Sequence, residues 1–191
     1  MTDTELAISL REIVTKHYPN MLVEVKSFAG DKSKRAVYFT DERLRGLYPL
    51  QRYHFLLHLI PQDFLDEHLH NAIWYECAPG EDPNSLQLPD EVLIKSITRP
   101  VLGVLNNCGF FKLLDERMCQ TADAQNGVVC TGDFTLAKQV LTDCGRPLSD
   151  FFDIFHVLML QGAYCDCEIL YNVAKESNLR SQHWQERGLS G

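Results

Sequence analysis

The sequence predicts an α+β protein in which a small αββαβ module precedes a mostly α-helical module. Two observations support this prediction. Up to residue 77 the apolar residues switch between helical spacing and the alternation typical of strands, whereas beyond residue 90 only helical spacing occurs. Between these regions, residues 78–90 gather turn-forming and acidic residues, which is typical of a linker.

The first module is predicted to begin with an amphipathic helix capped by Thr4 and to continue with a hairpin that turns at Gly30 and Asp31. A second helix carries Pro49 in its first turn, where proline is favoured, and Pro61 ends it. The predicted order is helix 4–17, strand 22–27, strand 35–40, helix 48–60 and strand 70–77.

The second module is predicted to be helical because its apolar residues recur at spacings of three and four. Thr135 and Ser149 stand as N-caps before two of its helices, and Gly145 and Gly162 close the same two. The predicted helices are 90–106, interrupted by Pro100, then 136–144, 149–161 and 166–177. The predicted domains are an αββαβ module at 1–83, a helical linker region at 84–128 and a helical, cysteine-containing domain at 129–191.

The composition narrows the function classes. A formal charge of −8, with an acidic excess in both halves, argues against an extended polyanion-binding surface. The N-terminus lacks a secretion signal, and no apolar run reaches the about 18 residues of a membrane span, so we expect a cytoplasmic protein without membrane contact. The seven cysteines, an odd number at irregular spacing, are expected to be reduced thiols and include candidate metal ligands.

The first module carries a series of spaced motifs: Leu44-Arg45-Gly46, Leu50-Gln51-Arg52-Tyr53-His54, Leu69-His70-Asn71-Ala72-Ile73 and Pro79-Gly80-Glu81. Through these motifs it resembles the BolA family. The resemblance implies a class II KH-like fold, which has the predicted αββαβ order. It also implies a role in stress response or nucleic-acid binding, and a monothiol glutaredoxin partner that shares a [2Fe–2S] cluster through His70.

Departures from the family pattern bear on both implied functions. Tyr53 replaces the middle histidine of an Arg-His-Arg motif, and residues 27–34 offer no cysteine or histidine as a second cluster ligand. Residues 46–49 lack the second glycine of a KH nucleic-acid loop. The predicted contacts to nucleic acid or a partner are Gly46, Arg52, His54 and His70. Around them, a basic face or an ordinary solvated surface is formed by Lys32, Lys34, Arg35, Arg43, Arg45 and Arg52.

The histidines of this module admit two interpretations. His54 and His58 lie one helical turn apart, and His68 and His70 would share one face of a strand, so either pair could hold a metal. No His-Glu-x-x-His pattern accompanies them. The alternative is that they are interface or partly buried polar residues.

The second module ends in an unusually specific motif. With Cys130, Thr135-Leu136, Gly145 and this motif, residues 129–173 resemble an uncharacterised bacterial family, a domain of unknown function, that brings no activity with it. Relatives often place a histidine soon after the early cysteine, where this chain has Thr131-Gly132-Asp133. The motif is Gly162-Ala163-Tyr164-Cys165-Asp166-Cys167-Glu168-Ile169-Leu170-Tyr171-Asn172-Val173.

The cysteines of this motif support two hypotheses. Cys165 and Cys167, together with Cys130 and either His156 or Cys119, would supply the four donors of a tetrahedral zinc site. Alternatively, the thiols pack a helical junction while Asp166 caps the helix that it starts. Zinc is therefore the first cofactor candidate, and a [2Fe–2S] cluster shared with a glutaredoxin is the second.

The sequence contains no nucleophile elbow, phosphate loop, dinucleotide fingerprint or zincin motif, and no Cys-x-x-Cys. We therefore expect a non-enzymatic BolA-like regulatory or adaptor protein that contacts other macromolecules. One alternative is a nucleic-acid-binding transcriptional or stress regulator. The other is a zinc- or iron–sulfur-binding protein that uses His70 or the Cys165/Cys167 pair.

Overall fold

The computed structural model describes residues 1–28, 31–121 and 130–181, with the backbone alone at 31–33 and 121. Gly30 of the predicted hairpin turn, the side chain of Lys32 in the predicted basic face, and residues 129 and 182–191 of the predicted domain lie outside the described residues. The chain divides into two compact units, Met1–Leu88 and Pro89–Gly191. Their boundary falls close to the predicted end of the first module.

The first unit contains a three-stranded sheet in the order β1-β2-β3. Strands β1 and β2 pair antiparallel, with Val25 opposite Val37, and β2 and β3 pair parallel, with Val37 opposite Trp74. The α+β class and the αββαβ order are therefore confirmed, with one short added helix. The elements are α1 Asp3–Val14, β1 Leu22–Phe28, β2 Asp31–Thr40, α2 Pro49–Leu57, α3 Gln62–Phe64 and β3 Ala72–Cys77.

The core of this unit lies between the sheet and its helices. Leu6 and Leu10 of α1 are fully buried and belong to one apolar cluster with Val37 and Phe39 of β2. The helix starts earlier than predicted because Thr2, rather than Thr4, forms a capping box with Glu5.

The second unit is helical in the part that the structure describes. Pro100 lies inside α4 without ending it, so the predicted interruption is wrong. A helix that was not predicted, α5, follows, and both α4 and α5 pack against later helices of this unit although they were expected in a linker region. The helices are α4 Glu91–Asn107, α5 Phe110–Thr121, α6 Thr135–Asp143, α7 Phe151–Leu160 and α8 Asp166–Glu168, which runs into a π-helical turn, Ile169–Val173.

Helix α7 forms the centre of the second unit. Most of its residues are buried, and Phe155 stacks on Phe134, the residue before α6, at a ring distance of 4.5 Å. This packing brings the start of α6 beside the middle of α7. Among the described residues, no helix is both long enough and apolar enough to cross a bilayer.

Candidate metal centre

The cysteine motif forms a tight turn after α7. Gly162 ends that helix at φ +81°, a conformation that favours glycine. The Asn172 side-chain amide donates to the Gly162 carbonyl at 2.5 Å, and Glu168 accepts from the Tyr164 backbone N–H at 2.7 Å. These contacts fix the segment that carries Cys165 and Cys167.

Asp166 fastens this turn to the start of α6. Its two carboxylate oxygens accept from the backbone N–H groups of Leu136 and Ala137 at 2.8 and 2.9 Å. Its own N–H donates to the carbonyl of Asp133 at 2.9 Å. Asp166 thus accepts from N–H groups of α6 that have no partner inside that helix. The sequence predicted instead that it caps the helix that it begins. Because Asp133 closely follows Cys130, this fastening brings the three cysteines together.

The three thiols form a compact triangle. The Cys165 and Cys167 sulfurs are 3.1 Å apart, the Cys167 and Cys130 sulfurs 3.1 Å, and the Cys130 and Cys165 sulfurs 3.5 Å. Among the described residues, these three form the one group of at least three possible metal ligands. Their sulfur atoms all lie within 4.8 Å of one another. Sulfurs around a tetrahedral zinc are about 3.8 Å apart, so a small outward shift of the thiols would accommodate the ion.

The triangle favours a negative charge. The pKa of the Cys130 thiol lies far below its ordinary value, because the other two thiols can hydrogen-bond to its thiolate. The pKa values of Cys165 and Cys167 are raised, because each then keeps the proton that it shares with Cys130. Burial raises the pKa of Asp166 to about 6, although its two backbone hydrogen bonds oppose that shift.

One side of the triangle is open. Cys165 is buried, Cys167 half-buried and Cys130 exposed. A pocket of about 240 Å³ borders Cys130 and Cys167 and is also lined by Met118, Thr131, Thr135, Leu136 and Asp166. A metal held by the three sulfurs would therefore have a fourth position that solvent or another small ligand can reach.

The two predicted fourth ligands lie elsewhere. His156 lies on α7 and is 1% exposed. Its Nδ1 donates to the Phe152 carbonyl at 2.6 Å, so this nitrogen already has a partner within the helix. Burial lowers its pKa. Cys119 is exposed on α5. Among the described residues, the group of close ligand atoms contains the three cysteines and neither His156 nor Cys119.

One predicted contact residue of the first unit, Arg52, is buried. Arg52 is 2% exposed, and its guanidinium pairs with Glu81 at 2.6 Å while donating to the carbonyls of Leu47 and Glu76. Its guanidinium is thus engaged within the fold, whereas the sequence predicts a contact to nucleic acid or a partner. Other members of the predicted basic face are also paired with acids: Arg35 with Asp3, Arg43 with Asp41 and Arg45 with Glu42.

The remaining predicted contacts are more accessible. Gly46 is exposed at φ +77° after a helical turn, and His70 is exposed in the turn before β3 rather than on the strand. His54 is half-buried, and its Nε2 lies 2.9 Å from that of His58, as their helical spacing predicted. These residues do not form a three-ligand group within the described part of the chain.

Comparison with protein-family models, curated proteins and solved structures gives no match to this chain. The two family resemblances thus rest on the motif residues. The three-cysteine geometry stands independently of them, because it follows from contacts within residues 130–173.

Proposed function

We propose that this chain is a non-enzymatic zinc-binding protein whose second unit holds one Zn²⁺ through Cys130, Cys165 and Cys167. The observation that carries the proposal is the triangle of three sulfurs separated by no more than 3.5 Å. Thiolates favour zinc and other soft ions over magnesium or calcium. Metal binding would displace the two thiol protons that remain beside the Cys130 thiolate, and the cation would remove the repulsion that three thiolates would otherwise create.

The metal would act as a clamp between two segments of the second unit, with water or another small ligand in its fourth position. It would join the loop before α6 to the turn after α7, which Asp166 already connects through backbone hydrogen bonds. A clamp of this kind stabilises a surface, and this supports the adaptor or regulatory role that we propose for the whole chain. A reducing compartment such as the cytoplasm, which we also propose, would keep the thiols available for metal.

The test is elemental analysis of protein purified without chelator and without oxygen. We expect about one zinc per chain, a tetrahedral site rich in thiolate when Co²⁺ replaces zinc, and loss of metal in Cys165→Ser. The Co²⁺ form should show intense sulfur-to-metal charge-transfer absorption.

The matched control is Cys119→Ser, because Cys119 is an exposed thiol of the same unit outside the triangle. This variant should keep its zinc. If the wild-type protein lacks metal and does not take up Zn²⁺ or Co²⁺ after reduction, the zinc proposal is wrong. Equal metal loss in both variants would place the site elsewhere.

A further inference from the structure

The first unit contains a groove that the zinc proposal does not involve. It has a volume of about 490 Å³, within the usual range of small-molecule sites. Residues from α2, from the segment after α3 and from β3 border it, including Tyr53, Asp66, His70, Trp74 and Glu76. The groove is therefore built on a sheet and two helical segments rather than on a loop.

Glu76 is the most informative residue of this groove. It lies on β3, is only 9% exposed and borders the cavity. Its own backbone N–H donates a hydrogen bond to its carboxylate, and the guanidinium of nearby Arg52 is already paired with Glu81. Burial raises the pKa of Glu76 to about 7. A buried carboxylate that is left in this state gains strongly from a cation or hydrogen-bond donor.

Two aromatic rings line the same groove. The rings of Tyr53 and Trp74 make an edge-to-face contact with their centroids 5.4 Å apart, and Tyr53 is 44% exposed. Rings of this kind attract cations through their faces and also pack against apolar groups. Asp66 adds a second acid, and the described lining residues include neither lysine nor arginine. The groove is thus complementary to a positive charge attached to an apolar body.

We propose that this groove binds a small organic cation, an ammonium compound with an aromatic or alkyl body. The ammonium group meets the Glu76 carboxylate, and the body packs against Tyr53 and Trp74. His70 is exposed and, among the described lining residues, is the only one with a basic side chain. The site is independent of the metal centre because all its lining residues belong to the first unit.

The experiment compares three probes that share a phenyl ring but differ in charge. Calorimetric titration at about pH 8, above the pKa of Glu76, would use 2-phenylethylamine, 2-phenylethanol and 3-phenylpropionate. We expect the amine to bind about tenfold or more tightly than the alcohol, and the carboxylate not to bind, because a hydrogen-bonded ionic contact is worth at least that factor. No binding of the amine at millimolar concentration overturns the proposal, as does equal binding of the amine and the carboxylate.

Two variants locate the site. Glu76→Gln should weaken amine binding about tenfold while leaving alcohol binding unchanged, because shape is kept and charge is lost. Tyr53→Leu changes a half-exposed ring and should weaken amine binding several-fold. Glu24→Gln is the matched control, because it removes an exposed carboxylate of the same unit outside the groove. Amine binding that is insensitive to Glu76→Gln, in protein shown by circular dichroism to be folded, contradicts the proposal.

Discussion

At the scale of single residues, Arg52 connects three parts of the first unit. Its guanidinium reaches a carbonyl before α2, a carbonyl on β3 and the carboxylate of Glu81 after β3. The side chain of Glu81 also accepts from the Ala78 N–H, which closes the turn there. The motif that carried the BolA resemblance at this point is therefore a structural ion pair.

We predict that Arg52→Ala destabilises the protein by about 3 kcal/mol, because it leaves Glu81, the part-buried Leu47 carbonyl and the buried Glu76 carbonyl without their donor. Urea unfolding followed by circular dichroism would measure the loss. Lys95→Ala is the control, since its pair with Glu91 is exposed, and should cost less than about 0.5 kcal/mol. Equal stability of Arg52→Ala and wild type would contradict the buried-pair interpretation.

Glu76 predicts an unusual pH dependence. Its pKa rises from 4.5 when unfolded to about 7 when folded, mainly through burial, while a hydrogen bond from its own backbone N–H and the Arg52 charge oppose that rise. Between these values the folded state holds more protons than the unfolded state, so this residue's contribution to stability falls as pH increases. Glu76→Gln, which cannot ionise, should therefore gain stability relative to wild type between pH 5 and 8, by up to about 3 kcal/mol.

The measurement is chemical unfolding of both proteins at several pH values. The difference between them matters rather than either absolute value, because other carboxylates titrate equally in both. Glu24→Gln, which removes an exposed carboxylate of the same unit, serves as the control. A Glu76→Gln difference that does not change between pH 5 and 8 would show that Glu76 titrates normally.

Residue patterns predicted the thiols but not their neighbours. Cys165 and Cys167 stand out because they are close in sequence, whereas Asp166 was assigned to the wrong helix. Its real partners, Leu136 and Ala137, lie about thirty positions earlier in the chain, and one sequence carries no signal for such a contact. Likewise His156 was proposed as a ligand because of its residue type, although its place on the buried face of α7 determines its environment.

At the scale of elements, the periodic segments were predictable and their ends were not. The apolar stripe of α1 correctly predicts its buried face, but the helix begins earlier than predicted because Thr2 forms the capping box. Helix α5 was missed although Phe110, Leu114 and Met118 follow helical spacing and are all buried, so the signal was present. Pro100 has the opposite effect. A proline inside a helical pattern predicts a break, but α4 continues through it.

The connection between α6 and α8 gives an element-scale prediction. Asp166→Ala would remove the acceptor for two N–H groups at the start of α6, one of them in a buried hydrogen bond. We expect a loss of about 1–3 kcal/mol in unfolding free energy and weaker zinc binding although all three thiols remain. Competition with a chromophoric chelator would measure the affinity.

The control for this prediction is Asp150→Ala, since Asp150 stands before α7 without a side-chain capping bond. It should leave zinc affinity unchanged. Zinc affinity equal to wild type in Asp166→Ala would show that the thiols alone define the site and that the fastening to α6 has no role in it.

At the scale of the whole molecule, the division into two units assigns the proposed metal to one of them. All three thiols lie in the unit Pro89–Gly191, and the groove with Glu76 lies in the unit Met1–Leu88. The sequence predicted this division from residues 78–90, where turn formers and acids accumulate. It could not assign α4 and α5 to the second unit, because their partners are helices that come later in the chain.

This division predicts that zinc stabilises the molecule unevenly. A ligand that binds only the folded state adds stability to the unit that holds it, about 4 kcal/mol when its concentration is a thousand times the dissociation constant. Hydrogen exchange of the full-length protein, with and without a chelator, should therefore show faster exchange after zinc removal in peptides from 130–173. Peptides from β1 and β2 should exchange at the same rate in both samples, because their hydrogen bonds lie within the first unit. Cys165→Ser should reproduce the chelator's effect and Cys119→Ser should not. Equal acceleration in both units would show that the metal stabilises the whole chain as one cooperative body, and unchanged exchange in both would show that bound zinc contributes nothing to folding.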